Sequence, residues 1–273
     1  MGRFSEFLSR KKRFDPEGHV VAGRLAEFRL LKLTRAVAGN ALVLEGIRIP
    51  DPEEGGRREI DMVIATGDEI LFVEQKHWSG SFTITTEGRF FQLRKNGGTL
   101  MHKNIVAWTA RKGEILCDLH EKRTNSSAPK SRTVLVFSNS NLEWDPLPDE
   151  VQAEAYNELG FIDMVEQMTK TPPSSKLKET LVGFGTWDTI HLNGGMTVHG
   201  DILESPFDRN DCSIKHTGIF GLVTGPKSTL STGEVVRNQS GVFVSIVGED
   251  GTRTIPFAHI SKIEFSNPKA AWG

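Results

Sequence analysis

The feature that most constrains this chain is a pair of apolar runs, residues 59–66 and 69–76, separated by Gly67 and Asp68. Two runs rich in β-branched residues around a short glycine-containing turn predict an antiparallel β-hairpin. Four consecutive apolar residues put hydrophobic side chains on both faces of the second strand: Ile70, Leu71, Phe72 and Val73. The hairpin is therefore expected inside a sheet that is covered on both sides.

Charged residues occupy fixed places in this hairpin. If the residues flanking the turn pair, Asp61 lies directly opposite Glu74, and Lys76 projects from the same face opposite Glu59. Like charges facing each other destabilise a sheet, and an unpaired buried carboxylate is costly. A divalent cation between Asp61 and Glu74 removes both problems. An all-oxygen site of carboxylates, a backbone carbonyl and waters suits Mg²⁺ or Mn²⁺ rather than Zn²⁺, so we expect Asp61, Glu74 and Gln75 as metal ligands.

The spacing alone also allows a simpler interpretation. Asp61, Glu74 and Lys76 would then be strand residues on a solvated face, with Lys76 bridging Glu59 or Glu74. The two strands by themselves leave both interpretations open.

Glu27 is the next candidate site residue. Apolar residues at helical spacing predict a helix over His19–Ala38, which ends at Gly39-Asn40. Leu30 and Leu31, three and four positions after Glu27, indicate that this carboxylate faces the sheet, where it could order a metal-bound water. The alternative is a surface residue paired with a neighbouring arginine, Arg24 or Arg29.

The remaining pattern predicts a mixed α and β domain. Short strands after the first helix, expected to form a mostly antiparallel sheet, are Ala41–Pro50, Arg58–Thr66, Ile70–His77 and Ser81–Thr86. They are followed by a helix over Lys103–Lys122, a buried strand over Thr133–Phe137 and a final helix over Asp149–Lys170. Paired prolines after Thr171 stop that helix, so residues 171–180 are predicted to be a linker.

Residues 181–273 predict a second, all-β domain. This part is rich in glycine and β-branched residues, with candidate strands near Ile190, Thr197, Ile219, Val235, Phe243 and Ile255. Val242–Phe265, with Glu249-Asp-Gly251 as its hairpin turn, is similar to parts of SH3-like and Sm-like barrels. A small barrel that binds nucleic acid, a protein partner or a second copy of the chain is the expectation.

Charge and cysteine content exclude several classes of protein. The 33 Lys and Arg residues against 35 Asp and Glu give a net charge of −2, unlike a basic nucleic-acid coat protein. Basic residues exceed acidic ones only locally, nine to four within residues 1–35, which makes residues 1–20 a basic N-terminal segment. The two cysteines form neither a disulfide framework nor a zinc motif. Without an apolar run of membrane length, a cytoplasmic protein without a membrane partner is expected.

Three motifs together resemble a known family. They are Gly23-Arg-Leu-Ala-Glu27, then Glu59-Ile-Asp61, then Val73-Glu-Gln-Lys76 followed by Gly80. In this order they are similar to the nuclease-related domain (NERD), a branch of the PD-(D/E)XK superfamily, over about Val21–Lys170. One departure is that many members have an Asn-Pro pair before the next helix, whereas this chain has Lys103-Asn-Ile-Val106.

The resemblance implies a fold and a set of catalytic residues. It implies an α/β (α+β) fold with a restriction-endonuclease-like core. Glu27 corresponds to the helix glutamate, Asp61 to the metal-bridging aspartate, Glu74 to the second carboxylate and Lys76 to the lysine that handles the attacking water. The reaction implied is Mg²⁺-dependent hydrolysis of a phosphodiester in nucleic acid, with DNA as the expected substrate.

Further expectations concern substrate contacts and rival functions. Arg24, His77 and Trp78 are candidates for contact with nucleic acid, although Trp78 could instead pack against the sheet. The rival functions are a non-catalytic nucleic-acid-binding domain with the same fold and an oligomeric scaffold assembled through the β domain.

Overall fold

The computed structural model describes residues 18–53, 55–85, 88–148, 153–204, 209–217, 227–236 and 240–266. The basic segment 1–20 lies almost wholly outside these residues, as does the candidate strand near Ile219. Within these ranges the chain divides into an α/β unit, residues 22–186, and a β unit, residues 187–266 together with residues 18–21. No helix within the described ranges is long and apolar enough to cross a membrane.

The α/β unit contains four helices and nine strands among its described residues. The helices are α1 (Gly18–Val37), α2 (Ile105–Thr124), α3 (Glu158–Gln167) and α4 (Ser175–Gly183). The strands are β1 (Leu42–Pro50), β2 (Arg57–Ala65), β3 (Glu69–Lys76), β4 (Gly80–Ile84), β5 (Phe90–Leu93), β6 (Thr99–His102), β7 (Lys130–Phe137), β8 (Leu142–Trp144) and β9 (Glu154–Asn157). The predicted helices over 19–38 and 103–122 are confirmed, and Asn104 caps α2 by accepting from the backbone N–H of Ala107.

A five-stranded sheet, in the order β1-β2-β3-β7-β9, forms the centre of this unit. The first three strands are antiparallel, whereas β7 and β9 run parallel to β3. The expectation of antiparallel pairing is therefore confirmed for β1, β2 and β3, whereas two of the four pairings in the whole sheet are parallel. Parallel neighbours need a crossover connection, which the segment containing α2 supplies between β3 and β7.

Residues 81–86 were predicted as another strand of that sheet, but β4 lies in a separate four-stranded sheet, β6-β5-β4-β8. Aromatic side chains fill the space beneath it: Phe82 stacks on Trp144 at 6.0 Å and contacts Phe137 at 4.7 Å between ring centroids. The aromatic residues draw this hairpin onto the end of β7.

Helices cover both faces of the central sheet. On one face α1 and α3 bury Leu30 and Phe161 against β2, β3 and β7. On the other face α2 and α4 bury Leu116 and Leu181. This double coverage agrees with the apolar residues on both faces of β3.

Two boundaries differ from the prediction. The helix expected over 149–170 is shorter, covering Glu158–Gln167, because the preceding residues form β9 at the sheet edge. Much of the predicted linker 171–180 is helical: Ser174 caps α4, whose Leu177 belongs to the core. The two units divide between Thr186 and Trp187. Their junction therefore lies after α4.

The β unit is a single antiparallel sheet around one apolar core. Its strands are β10 (Asp188–Leu192), β11 (Thr197–Glu204), β12 (Cys212–His216), β13 (Ser228–Leu230), β14 (Val235–Val236), β15 (Gly241–Ile246), β16 (Arg253–Pro256) and β17 (Ile260–Glu264). Their order is β14-β13-β12-β17-β10-β11-β15-β16. Val236 and Ile255, from the two outermost strands, share that core, so the sheet curls into a half-barrel. The hairpin predicted at 249–251 is confirmed.

Candidate active site

The candidate site begins at an irregularity between β1 and β2. Backbone pairing of these strands skips Gly46 and Asp61, although the residues on both sides are paired in register. Gly46 has a φ of +58°, a conformation that side-chain-bearing residues rarely adopt. Side chains two residues apart in a strand normally lie on the same face of the sheet. Here Ile60 packs beside α2 and α4, whereas Met62 packs beside α1 and α3 on the opposite face. Asp61 therefore lies where the strand changes face.

The predicted register of β2 with β3 is confirmed from Met62 opposite Val73 to Ala65 opposite Ile70. The ladder stops there, one residue before Asp61. Instead of a backbone pair, the Asp61 carboxylate accepts a hydrogen bond from the backbone N–H of Gln75 at 2.8 Å. Asp61 is thereby fixed at the open end of the strand pair.

Glu74 is buried and bonded on both of its oxygens. Lys76 Nζ lies 2.7 Å from Oε1, and Lys112 Nζ lies 2.8 Å from Oε2. The Thr109 hydroxyl also donates to Oε2 at 3.0 Å. Lys76 therefore bridges Glu74, one of the two partners that the sequence allowed, and α2 supplies a second ammonium group.

Lys112 and Thr109 were missed by the sequence prediction. Lys112 also donates to the backbone carbonyl of Glu59 at 2.8 Å, so it joins α2 to both β2 and β3. The helix can come this close because Gly113 has no side chain. A Cβ atom at this position would overlap the ring of Phe72. The available signal was a lysine four residues before the core residue Leu116, on the apolar face of α2.

Glu27 and Asp61 line one small cavity of about 20 Å³. Its lining residues are Arg24, Glu27, Leu31, Glu45, Gly46, Glu59, Asp61, Met62 and Gln75. A bound water needs roughly 10–15 Å³, so this cavity has room for one water or one small ion. Glu27 also forms an ion pair with Arg24 at 2.7 Å. It therefore both lines the cavity and pairs with one of the two arginines named from the sequence. Glu45 is a further carboxylate that the sequence prediction missed.

The carboxylates influence each other's ionisation. Burial and the neighbouring Glu74 raise the pKa of Asp61 to about 7. Burial also raises the pKa of Glu27, although Arg24 opposes the shift. At Glu74 burial is outweighed by Lys76 and Lys112, whose ammonium groups lower its pKa to about 2. The pKa of Lys76 is raised because Glu74 and Asp61 outweigh its burial. Glu74 and Lys76 are thus charged at neutral pH, while Asp61 is divided between its two forms.

The donor set around the cavity fits a divalent metal ion chemically. The cavity wall combines carboxylate oxygens with the side chain of Gln75, whose buried amide nitrogen has no hydrogen-bond partner among the described residues. Turning that amide over would present its oxygen instead. An all-oxygen set suits Mg²⁺ or Mn²⁺. Within the described ranges, no three His, Cys, Asp or Glu side chains are already grouped as ligands of a single ion.

The other predicted contact residues have separate roles. Trp78 stacks on His102 at 4.0 Å and belongs to the aromatic cluster beneath β4, which favours its packing role. His77 is exposed, with Nδ1 3.0 Å from the hydroxyl of Ser138. Arg29, the alternative partner of Glu27, forms an ion pair with Glu158 at 2.7 Å instead.

The fold and this cluster place the first unit among α/β domains with a charged site at the open end of a covered, mixed sheet. Residues 22–138 match the sequence model of one family, described as the nuclease-related domain. The match confirms the predicted resemblance over less than half of the chain, and it contains Glu27, Asp61, Glu74, Lys76 and Lys112. No curated protein and no solved structure matches the chain.

Proposed function

We propose that the α/β unit is a divalent-metal-dependent nuclease with a PD-(D/E)XK core, hydrolysing phosphodiester bonds of nucleic acid with DNA as its main substrate. The observation that carries this proposal is the meeting of Glu27, Asp61, Glu74 and Lys76 at the open end of the β2–β3 pair. The match of this segment to a nuclease-related domain supports it independently.

The residues divide the chemistry among them. Asp61, Glu74 and Gln75 would hold the metal, and Glu27 would orient the water on the cavity side. A bound Mg²⁺ or Mn²⁺ would polarise the scissile phosphate and acidify the attacking water. Lys76, held by Glu74 at 2.7 Å, keeps its proton and stabilises the negative charge that develops on the phosphate. Lys112 keeps Glu74 ionised, and Oε1, whose one partner among the described residues is Lys76, would use its second lone pair for the metal.

The proposal is tested by incubating the purified chain with single- and double-stranded DNA and RNA, in Mg²⁺, Mn²⁺ or EDTA. Cleavage with either metal and its absence in EDTA are expected. The matched control is Asp68→Asn against Asp61→Asn, since Asp68 is an exposed aspartate in the turn of the same hairpin. Cleavage that survives EDTA, or that survives Asp61→Asn, would refute the metal-dependent mechanism.

One observation favours a second candidate function. Because both oxygens of Glu74 are already bonded to ammonium groups, this carboxylate is neutralised without a metal. A domain of this kind could bind nucleic acid without cleaving it. Retained binding of a labelled oligonucleotide, with no cleavage of any substrate in either metal, would favour this function over the nuclease.

A further inference from the structure

A second cluster of charged and aromatic side chains lies at the start of α2. It consists of Arg58, Lys103, Trp108 and Arg111, and is named here the Trp108 surface. The guanidinium carbon of Arg58 lies 5.7 Å from the centre of the Trp108 ring, and Lys103 Nζ lies 5.3 Å from it. Cations at such distances are attracted by the indole face. Trp108 therefore brings two positive charges close to one aromatic ring.

A buried carboxylate fixes the arginines of this surface. Asp51, whose side chain is 1% exposed, bonds Arg58 at 3.1 Å and Arg111 at 3.2 Å. Arg111 also reaches Glu53 at 2.8 Å. About a third of each arginine side chain stays exposed. Two guanidinium groups thus share one buried carboxylate and still reach solvent.

The ion pairs of Asp51 with the two arginines do not account for the position of Lys103. Its side chain is exposed, and no carboxylate partner is found for it among the contacts of the described residues. Asp51 could hold the β1–β2 hairpin through the arginines alone, without a lysine beside the Trp108 ring. The exposed ammonium group of Lys103 is therefore available to a negatively charged ligand.

Two residues of the Trp108 surface are next in sequence to residues of the candidate active site. Trp108 precedes Thr109, whose hydroxyl bonds Glu74, and Arg58 precedes Glu59, whose carbonyl accepts from Lys112. Neighbouring residues are about 1.5 Å apart along a helix and about 3.3 Å along a strand. Successive phosphates of one strand advance by about 3.4 Å along a duplex. These spacings are of similar size, so the distance along the chain from the site to this surface corresponds to a few nucleotides.

We propose that the Trp108 surface binds the phosphodiester backbone of a nucleic acid strand beside the bond to be cleaved. This inference rests on the proposed nuclease function and assigns it a substrate-binding surface. The planar forks of Arg58 and Arg111 match phosphate oxygens, and Lys103 supplies a point charge. Such a local surface is needed because the whole chain has a net charge of −2 and does not attract polyanions by itself.

The test is binding of a fluorescent oligonucleotide in EDTA, where cleavage does not interfere, over a range of salt concentrations. Lys103→Gln should weaken binding several-fold and reduce the salt slope by about one unit. Arg58→Gln combined with Lys103→Gln should weaken it at least tenfold. Trp108→Leu removes no charge and should weaken binding with little change of slope. The matched control is Lys122→Gln, an exposed lysine at the far end of the same helix, which should bind like the parent chain.

The outcomes separate this inference from the proposed function. If folded Lys103→Gln and the folded double variant bind the oligonucleotide with the parental affinity, the Trp108 surface does not bind nucleic acid, even if the chain cleaves DNA. Loss of binding in these variants, but not in Lys122→Gln, would support the surface even if no substrate is cleaved. A parent chain that binds no oligonucleotide would overturn it too. Circular dichroism identifies any misfolded variant, and Lys103→Gln, on an exposed side chain, keeps the test decisive.

Discussion

Each unit places an aspartate among buried groups, and the two carboxylates meet different surroundings. Asp188 in the β unit accepts from Arg209 at 2.7 Å and from the backbone N–H groups of Ile202 and Ser266 at 3.0 and 2.9 Å. Asp61 in the α/β unit accepts one backbone hydrogen bond and otherwise faces other carboxylates across a cavity. An aspartate surrounded by donors stabilises its fold, whereas one placed among acids favours a bound cation.

The comparison is tested most directly by the two asparagine variants. Asp61→Asn should reduce metal-dependent cleavage by about a thousandfold, because it removes a charged ligand while keeping the acceptor for Gln75. Asp188→Asn should instead lower the free energy of unfolding by about 1–3 kcal/mol, since one of its donors is charged. Single-turnover cleavage and thermal melting measure the two effects. An equal loss of activity per folded molecule in both variants would remove the distinction.

Removing a cation from the site should have the next largest effect. Lys76→Ala should slow cleavage by about a hundredfold while metal and DNA binding change little, because the lysine acts mainly on the transition state. Lys95→Ala, in the exposed turn after β5, is the control. The measurement is single-turnover cleavage at saturating Mg²⁺. If both folded variants cleave at the parental rate, Lys76 serves only to bridge Glu74.

The ionisation of Asp61 should appear in stability measured without metal. Its pKa is raised from a usual 3.8 to about 7, so the contribution of its protonated form is fully present below pH 3.8 and is lost as pH rises through about 7. In EDTA at pH 8, Asp61→Asn should therefore melt several degrees above the parent, corresponding to about 1–2 kcal/mol.

Thermal melting at pH 4 and pH 8 measures this difference, which should nearly disappear at pH 4. Asp68→Asn should match the parent at both values. A parent chain that is the more stable of the two at pH 8 in EDTA would show that Asp61 is stabilised by contacts other than those described.

The smallest effect is expected from removing the β unit. A chain ending at Thr186 retains every candidate catalytic residue, so its single-turnover rate on a short oligonucleotide should stay within about threefold of the parent. The remainder of the chain should fold as an all-β unit, which circular dichroism of residues 187–273 would detect. Complete loss of cleavage in a folded truncation would show that the chemical step depends on the β unit.

The hairpin around Gly67 could be predicted because its register depends on a local turn. The same local pattern identified Asp61, Glu74 and Lys76, and three of the four helices were found from their periodicity. Lys112 was missed because its contact with Glu74 joins residues far apart in sequence, and only the close approach of α2 at Gly113 brings them together. The first part of the fourth helix, α4, was predicted as a linker because Pro172 and Pro173 favour an extended chain. Ser174, which follows them and caps the helix, was counted as part of that linker.

The exchange of faces in β2 was not predicted, since strict alternation was assumed along the whole strand. A glycine inside an apolar strand is a known signal for such an irregularity, and Gly46 is one. Alternation put Glu59 opposite Lys76. In the structure Glu59 lines the cavity, and a Cβ atom at Gly46 would lie 3.2 Å from its carboxylate oxygen.

For the evolution of this chain, the glycine opposite Asp61 makes some changes easier than others. Replacing Gly46 would strain the backbone at once, whereas replacing Asp61 by asparagine would leave the backbone as it is. A lineage that lost the proposed cleavage could therefore exchange the aspartate and still keep the glycine. In such descendants, an otherwise unexplained glycine in the middle of the first strand would mark the place of the proposed site.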